Sequence, residues 1–245
     1  MNDSALRGYS RIRTVASFEE LVSARFEAGV NAVCWPRSLD GDFAEIAALC
    51  RTRSAASDSQ GVTLLDPLEL SKTTSSPSGR RALRVLEDDL SRLAERDLEP
   101  VLNCVTHYRR DDSGLLPTDV YSFHADRCPV EVDTWLCTYH GEPTQGLRND
   151  QAVQKITDPV TQRALRHAFA RLQSTDRTPR ESFEQFVRSY NYDLHFAPVE
   201  GATPWSFGLG WLWRVAVSWP GSSVPPCLHR APNDSPNRPR LLLIA

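Results

Sequence analysis

The spacing of apolar positions changes character near residue 99 of this 245-residue chain. Before that point they recur at helical spacing, separated by short apolar runs. Ser17-Phe-Glu-Glu20 is a capping box that opens an amphipathic helix through about Ala28, where Gly29 stops it. Val30 to Trp35 reads as a strand halted at Pro36, Asp40 caps a helix over 42–52, and Gly61 to Leu65 is another strand. Ser71 to Gly79 is rich in Ser, Thr, Pro and Gly and reads as a loop. Leu83, Leu86, Leu90 and Leu93 then share one face of a helix predicted over 79–96. Its opposite face carries Arg81, Arg84, Glu87, Asp88, Arg92 and Glu95.

Beyond residue 99 the pattern favours strands. The predicted strands cover 100–108, 118–126 and 132–139, with a turn at Asp111 to Gly114. Two helices interrupt. Asp158-Pro159 opens one to about Gln173, and Thr178-Pro-Arg-Glu181 caps a second to about Tyr190. Strands return at 210–219, 227–231 and 238–245. The fold class expected is α+β, a β-sandwich or jelly-roll with helices packed outside. The chain reads as one domain, 1–245. Residues 1–98 form an α/β N-terminal layer, and 99–245 form the core with a helical insert near 157–191.

Composition narrows the functional classes. Hydrophobic residues make up 40% and charged residues 24%, ordinary for a globular protein, and the net charge of -3 gives no broad nucleic-acid or membrane footprint. No apolar run approaches the roughly 20 residues needed to span a bilayer. The first residues have no apolar signal core, so a cytoplasmic location is expected. Cys34, Cys50, Cys104, Cys128, Cys137 and Cys227 form no C-x-x-C pair and read as reduced, mostly buried thiols. No G-x-S-x-G elbow, phosphate loop or dinucleotide fingerprint occurs.

The chemistry-bearing set is His124-Ala-Asp126, His229 and Arg240. On a strand, residues i and i+2 share a face, so His124 and Asp126 both point inward. Two imidazoles and one carboxylate are a ligand set for a non-haem Fe(II) with open positions. The third ligand, His229, is expected from a strand of the facing sheet. A turn through Asn233 to Asn237 is expected to return Arg240 beside His229 on an antiparallel strand, sharing a face with Leu242 and Ile244. A planar guanidinium there binds a carboxylate bidentately. Arg238, two residues earlier, competes for that role.

These residues look like the H-x-D…H motif and downstream arginine of the Fe(II)/2-oxoglutarate-dependent oxygenase superfamily. The resemblance implies a double-stranded β-helix (jelly-roll) core, iron on His124, Asp126 and His229, and 2-oxoglutarate held by Arg240. The chain is also similar to a group of bacterial proteins sharing Gly29-Val-Asn-Ala-Val-Cys-Trp35, Cys137-Thr-Tyr-His-Gly-Glu-Pro-Thr144 and the His229-Arg-Ala-Pro232 end. That group carries no established reaction.

Other residues complete the candidate list. Tyr121, Thr138 and Tyr139 lie near the motif strands, and Tyr121 and Thr138 are candidates to touch the keto acid. Arg230 should point away from its ligand neighbour. His107 ends a strand near the pocket, whereas His140, His167 and His195 read as turn, helix or surface residues. Trp205, Trp211, Trp213 and Trp219 form either core and pocket wall or a partner surface. The expected function is oxidation of a small or carrier-bound metabolite in bacterial biosynthesis. The alternatives are a non-oxidative acid-base enzyme of cyclisation or elimination working with a partner protein, with His124 or Asp126 as base, and a non-catalytic binding protein.

Overall fold

The computed structural model describes residues 4–54, 61–74, 76–110, 114–175, 182–235 and 238–245. It is a mixed α+β fold with two β-sheets. In chain order the first part holds β1 (Ile12–Thr14), α1 (Phe18–Ser23), β2 (Ala32–Trp35), α2 (Phe43–Ser54), β3 (Val62–Leu65), α3 (Pro67–Ser71), α4 (Pro77–Ala94) and β4 (Val101–Val105). There follow β5 (Phe123–His124), β6 (Asp133–His140), β7 (Gln145–Leu147), β8 (Ala152–Gln154), α5 (Pro159–Thr175) and α6 (Phe183–Ser189). The chain continues with β9 (His195–Pro198), β10 (Trp205–Ser206), β11 (Leu212–Ala216), β12 (Leu228–Arg230) and β13 (Arg240–Ile244).

One sheet has the order β1-β2-β11-β6-β13-β4-β3 and the other β10-β7-β12-β5-β9-β8. Among the named strands of the described residues, β1 and β2 pair in parallel and the other ladders are antiparallel. The N-terminal segment is therefore not a separate layer. Its strands extend both edges of the larger sheet, and its helices cover one face of that sheet.

Period-two alternation explains the layering. On β6, Trp135, Cys137 and Tyr139 face the helices, and on β13 Leu241 and Leu243 do the same. They pack with Leu83, Leu86 and Leu93 of α4 and Ile46 of α2. Burying each such leucine contributes roughly 1.5–3 kcal/mol. The opposite face meets the smaller sheet, where Trp205, Phe207 and Trp213 stack with Leu136 and Val215. Trp205 and Trp213 are thus core, not a partner surface, while Trp211 and Trp219 are partly exposed.

Several predicted boundaries move for identifiable reasons. Helix α1 stops at Ser23, short of Ala28, because the Arg214 guanidinium donates to the carbonyls of Val22 and Ala24, each at 2.8 Å. Asp42, not Asp40, caps α2 by accepting from the Glu45 N–H at 3.0 Å; Asp40 pairs with Arg81 instead. The 71–79 loop is shorter than expected, since α3 precedes it and Ser76 with Pro77 starts α4. The predicted strand 118–126 contracts to Phe123–His124, because the Asp119 side chain accepts from the Tyr121 N–H and holds a turn there. Helix α6 opens on a Ser182–Gln185 capping box. The cap expected at Thr178 to Glu181 and most of the turn at Asp111 to Gly114 lie outside the described residues. Strands β7 to β10, two to four residues each, are too short to carry a period and were not predicted.

Candidate metal centre and its two cavities

His124 and His229 sit on neighbouring antiparallel strands of the smaller sheet, as directly opposed Cα partners. This corrects the expectation that His229 would come from the facing sheet. The two rings lie 4.7 Å apart between centroids. Asp126 follows the end of β5 rather than lying on it, and its backbone carbonyl accepts from the Ser218 N–H at 2.7 Å. Asp126 Oδ1 lies 3.9 Å from His124 Nε2, and Oδ2 lies 3.7 Å from His229 Nε2. One ligand atom from each of the three residues falls within 4.8 Å of the others.

The hydrogen bonds around the set fix its chemistry. His124 Nδ1 lies 2.8 Å from the Ser122 carbonyl and His229 Nδ1 lies 3.4 Å from the Cys227 carbonyl. A carbonyl only accepts, so each Nδ1 donates and each Nε2 is the ring atom turned toward Asp126. Burial, then the neighbouring His229, pushes the His124 pKa down to about 4, so that ring is neutral near pH 7. Burial opposes ionisation of Asp126, but His229, the Thr134 hydroxyl and His124 together hold its carboxyl below the usual range. Thr134 Oγ1 donates to Asp126 Oδ2 at 2.6 Å. The two Nε2 atoms and the Asp126 carboxylate therefore converge, each imidazole 3.7–3.9 Å from a carboxylate oxygen. Two N and one O donor suit a divalent first-row metal.

Arg240 approaches from the other sheet. It begins β13 in the larger sheet, whereas His229 is in the smaller one, so β12 and β13 do not form a hairpin; part of the turn expected at Asn233 to Asn237 lies outside the described residues. Arg240 shares a face with Leu242 and Ile244 as expected, and all three line a cavity of about 200 Å³ with His124, Asp126 and His229. The Arg240 side chain donates to Thr144 Oγ1 at 3.0 Å, to the Tyr108 hydroxyl at 3.3 Å and to Thr138 Oγ1 at 3.5 Å. Its Nε is buried with no hydrogen-bond partner, and Arg240 as a whole is 7% exposed. Burial lowers its pKa, and the nearby Tyr108 and Tyr121 oppose that shift. Gly141 makes the seat possible: at φ +87°, a Cβ there would lie 2.9 Å from Arg240 Cα and Cγ.

The remaining candidates separate clearly. Thr138 touches Arg240. Tyr121 stands behind the site: its hydroxyl donates to Asp234 and accepts from the Tyr108 N–H at 2.8 Å, and its ring meets Tyr108 edge-on. Arg238 is half-exposed and paired with Glu142 at 3.0 Å, leaving the buried role to Arg240. Tyr139 donates to Asp89 on the helix-facing side of the sheet. Arg230 lies over the Phe123 ring and donates to Gln145, away from the imidazoles. His107 is exposed, and the next residue, Tyr108, reaches the cavity instead. Tyr108 and Thr144 were not singled out as Arg240 partners from sequence, because β4 and the turn before β7 meet Arg240 only in three dimensions.

A second, outer cavity of about 780 Å³ shares Val120, His124 and Asp126 with the first. His124 and Asp126 thus stand where the smaller cavity meets the larger one. His195, read as a turn or surface residue, is a buried Cα partner of His124 and lines this outer cavity. Burial, His124 and Lys155 push its pKa down to about 4. Among the described residues no helix is long and apolar enough to cross a membrane. Compared with family models, curated proteins and solved structures, the chain has no match.

Proposed function

We propose that this chain is an Fe(II)/2-oxoglutarate-dependent oxygenase acting on a small or carrier-bound metabolite. One juxtaposition carries the reading. Three potential metal ligands and the buried Arg240 line the same small cavity. His124, Asp126 and His229 would hold the iron, leaving positions open. Arg240, steadied by Tyr108 and Thr144, would take the distal carboxylate of the keto acid by charge-assisted hydrogen bonds. Bound iron and keto acid supply the activation of oxygen for oxidising a substrate C–H bond. The chain's own part is to orient the imidazoles through Ser122 and Cys227, to keep His124 neutral and Asp126 ionised, and to seat the keto acid on Arg240.

The strand path also supports the jelly-roll reading. From β4 onward, β4, β6, β11 and β13 enter one sheet while β5, β7, β8, β9, β10 and β12 enter the other, so the chain passes repeatedly between two facing sheets.

The deciding experiment is anaerobic titration of metal-free protein with Fe(II), then 2-oxoglutarate, followed by visible absorption. A charge-transfer band should appear, vanish in His229→Ala and weaken in Arg240→Ala. Failure of the wild-type protein to bind Fe(II) would sink the assignment and turn the search to oxygen-independent chemistry.

A further inference from the structure

Strand register places a strip of apolar side chains on the cavity side of the larger sheet. Ile244 pairs with Leu136 on one side and Val101 on the other, and Leu242 pairs with Asn103, which in turn pairs with Leu64. Directly paired residues share a face, as do residues two apart on a strand. Val62 and Leu64 of β3, Val101 of β4 and Ile244 of β13 therefore stand on the face where Leu136, Leu242 and Ile244 line the small cavity. Leu64 is 69% exposed, Val101 40%, Val62 37% and Ile244 36%; Asn103, among them, is buried. Cross-strand and diagonal neighbours lie about 5–8 Å apart, so these side chains form one strip from the cavity to β3, the edge of the sheet. Exposed apolar side chains grouped in this way mark a surface that binds something.

Continuity and size together indicate what covers it. Ile244 belongs both to the strip and to the cavity that His124, Asp126 and His229 line. That cavity, about 200 Å³, is smaller than the roughly 300–1,000 Å³ of most small-molecule sites, so with a keto acid on Arg240 a substrate must extend beyond it. From Ile244 across β4 to β3 the strip spans two strand spacings, about 10 Å, and the four side chains that form it are all aliphatic. The outer cavity, by contrast, includes Asp119, Arg127, Arg188 and Asp193 in its wall and gives an aliphatic chain no such surface.

We infer that the small cavity and this strip bind a substrate with an uncharged aliphatic chain, which lies across Ile244, Val101 and Leu64 with one end beside His124 and His229. As the substrate class of the proposed oxygenase, the inference rests on that reading, but binding of the chain itself requires no iron.

The test is calorimetric titration of butan-1-ol, hexan-1-ol, octan-1-ol and xylitol into the metal-free protein, repeated without oxygen in the presence of Fe(II) and 2-oxoglutarate. Alkanol affinity should rise about two- to fourfold with each added methylene, and xylitol should not bind. Leu64→Asp and Val101→Asp should each weaken octan-1-ol binding about tenfold, the effect of removing a few methylene contacts. Leu64→Met should bind as wild type does. Both side chains are exposed, so the thermal midpoint, metal affinity and 2-oxoglutarate affinity should not move. If either charge disturbs the fold, Leu64→Ser carries the test with a loss in the same direction. Absence of octan-1-ol binding to wild type, affinity independent of chain length, or unchanged binding in the variants overturns the inference. Self-association that Leu64→Asp abolishes, without alkanol binding, also overturns it and gives the strip to a second copy of the chain. A chelate band without alkanol binding rejects this substrate class alone. Alkanol binding that depends on Leu64, without a chelate band, rejects the oxygenase and leaves the apolar site standing.

Discussion

His124 and His229 are directly opposed across the β5–β12 ladder, with ring centroids 4.7 Å apart. Register therefore sets the donor geometry. A one-residue slip would turn one ring to the other face of the sheet, where Phe123 and Leu228 now pack.

Gly146 guards that register. It pairs with His229 on one side and Trp205 on the other, and an added Cβ would lie 2.1 Å from the Trp205 ring. The indole is buried in the core and cannot swing out. Gly146→Ala should destabilise the fold by about 1–3 kcal/mol through overpacking and weaken metal binding in step. Urea unfolding and Co(II) titration would check it; a variant with wild-type values in both would contradict this account of the strand.

Thr134 would act on a bound metal through Asp126. Its hydroxyl is the hydrogen bond that fixes one carboxylate oxygen. Thr134→Val keeps the shape and should lower Mn(II) or Co(II) affinity about 10–100-fold, the usual cost of losing an outer partner of a ligand. Unchanged affinity by calorimetry would mean that the carboxylate is held by other means.

Arg240 and its hydroxyl partners should separate keto-acid binding from metal binding. Arg240→Met should weaken 2-oxoglutarate about 100-fold and Tyr108→Phe about tenfold, as charged and neutral hydrogen bonds are lost. Metal affinity measured without the keto acid should not move. A matching loss of metal affinity in Arg240→Met would instead give the arginine a structural role.

A buried network on the far side of the larger sheet should dominate stability. Arg37 makes a bidentate pair with Asp89 at 2.6 and 2.8 Å, Tyr139 donates to the same carboxylate, and both charged side chains are nearly inaccessible. Asp89→Asn strands the guanidinium and should cost about 3–5 kcal/mol. The double change Arg37→Met with Asp89→Leu should recover much of that loss. Denaturant unfolding of both variants reads the difference, and a single variant as stable as wild type would overturn it.

Local pattern was sufficient for the elements that carry their own period or cap. The leucine stripe of α4, the alternation along β6 and β13, and the capping of α5 depend on near neighbours, so they are legible in the sequence. The donor set was legible too, because His124, Asp126, His229 and Arg240 are residue types whose joint spacing suits one chemistry. Tertiary structure alone decided which sheet each belongs to. His229 joins His124 in one sheet while Arg240 faces them from the other, since strand pairing joins residues a hundred positions apart and leaves no local trace. The same holds for His195 and Tyr108. Nothing near either in the chain marks it, and each gains its place from a neighbour that only the folded sheets bring beside it.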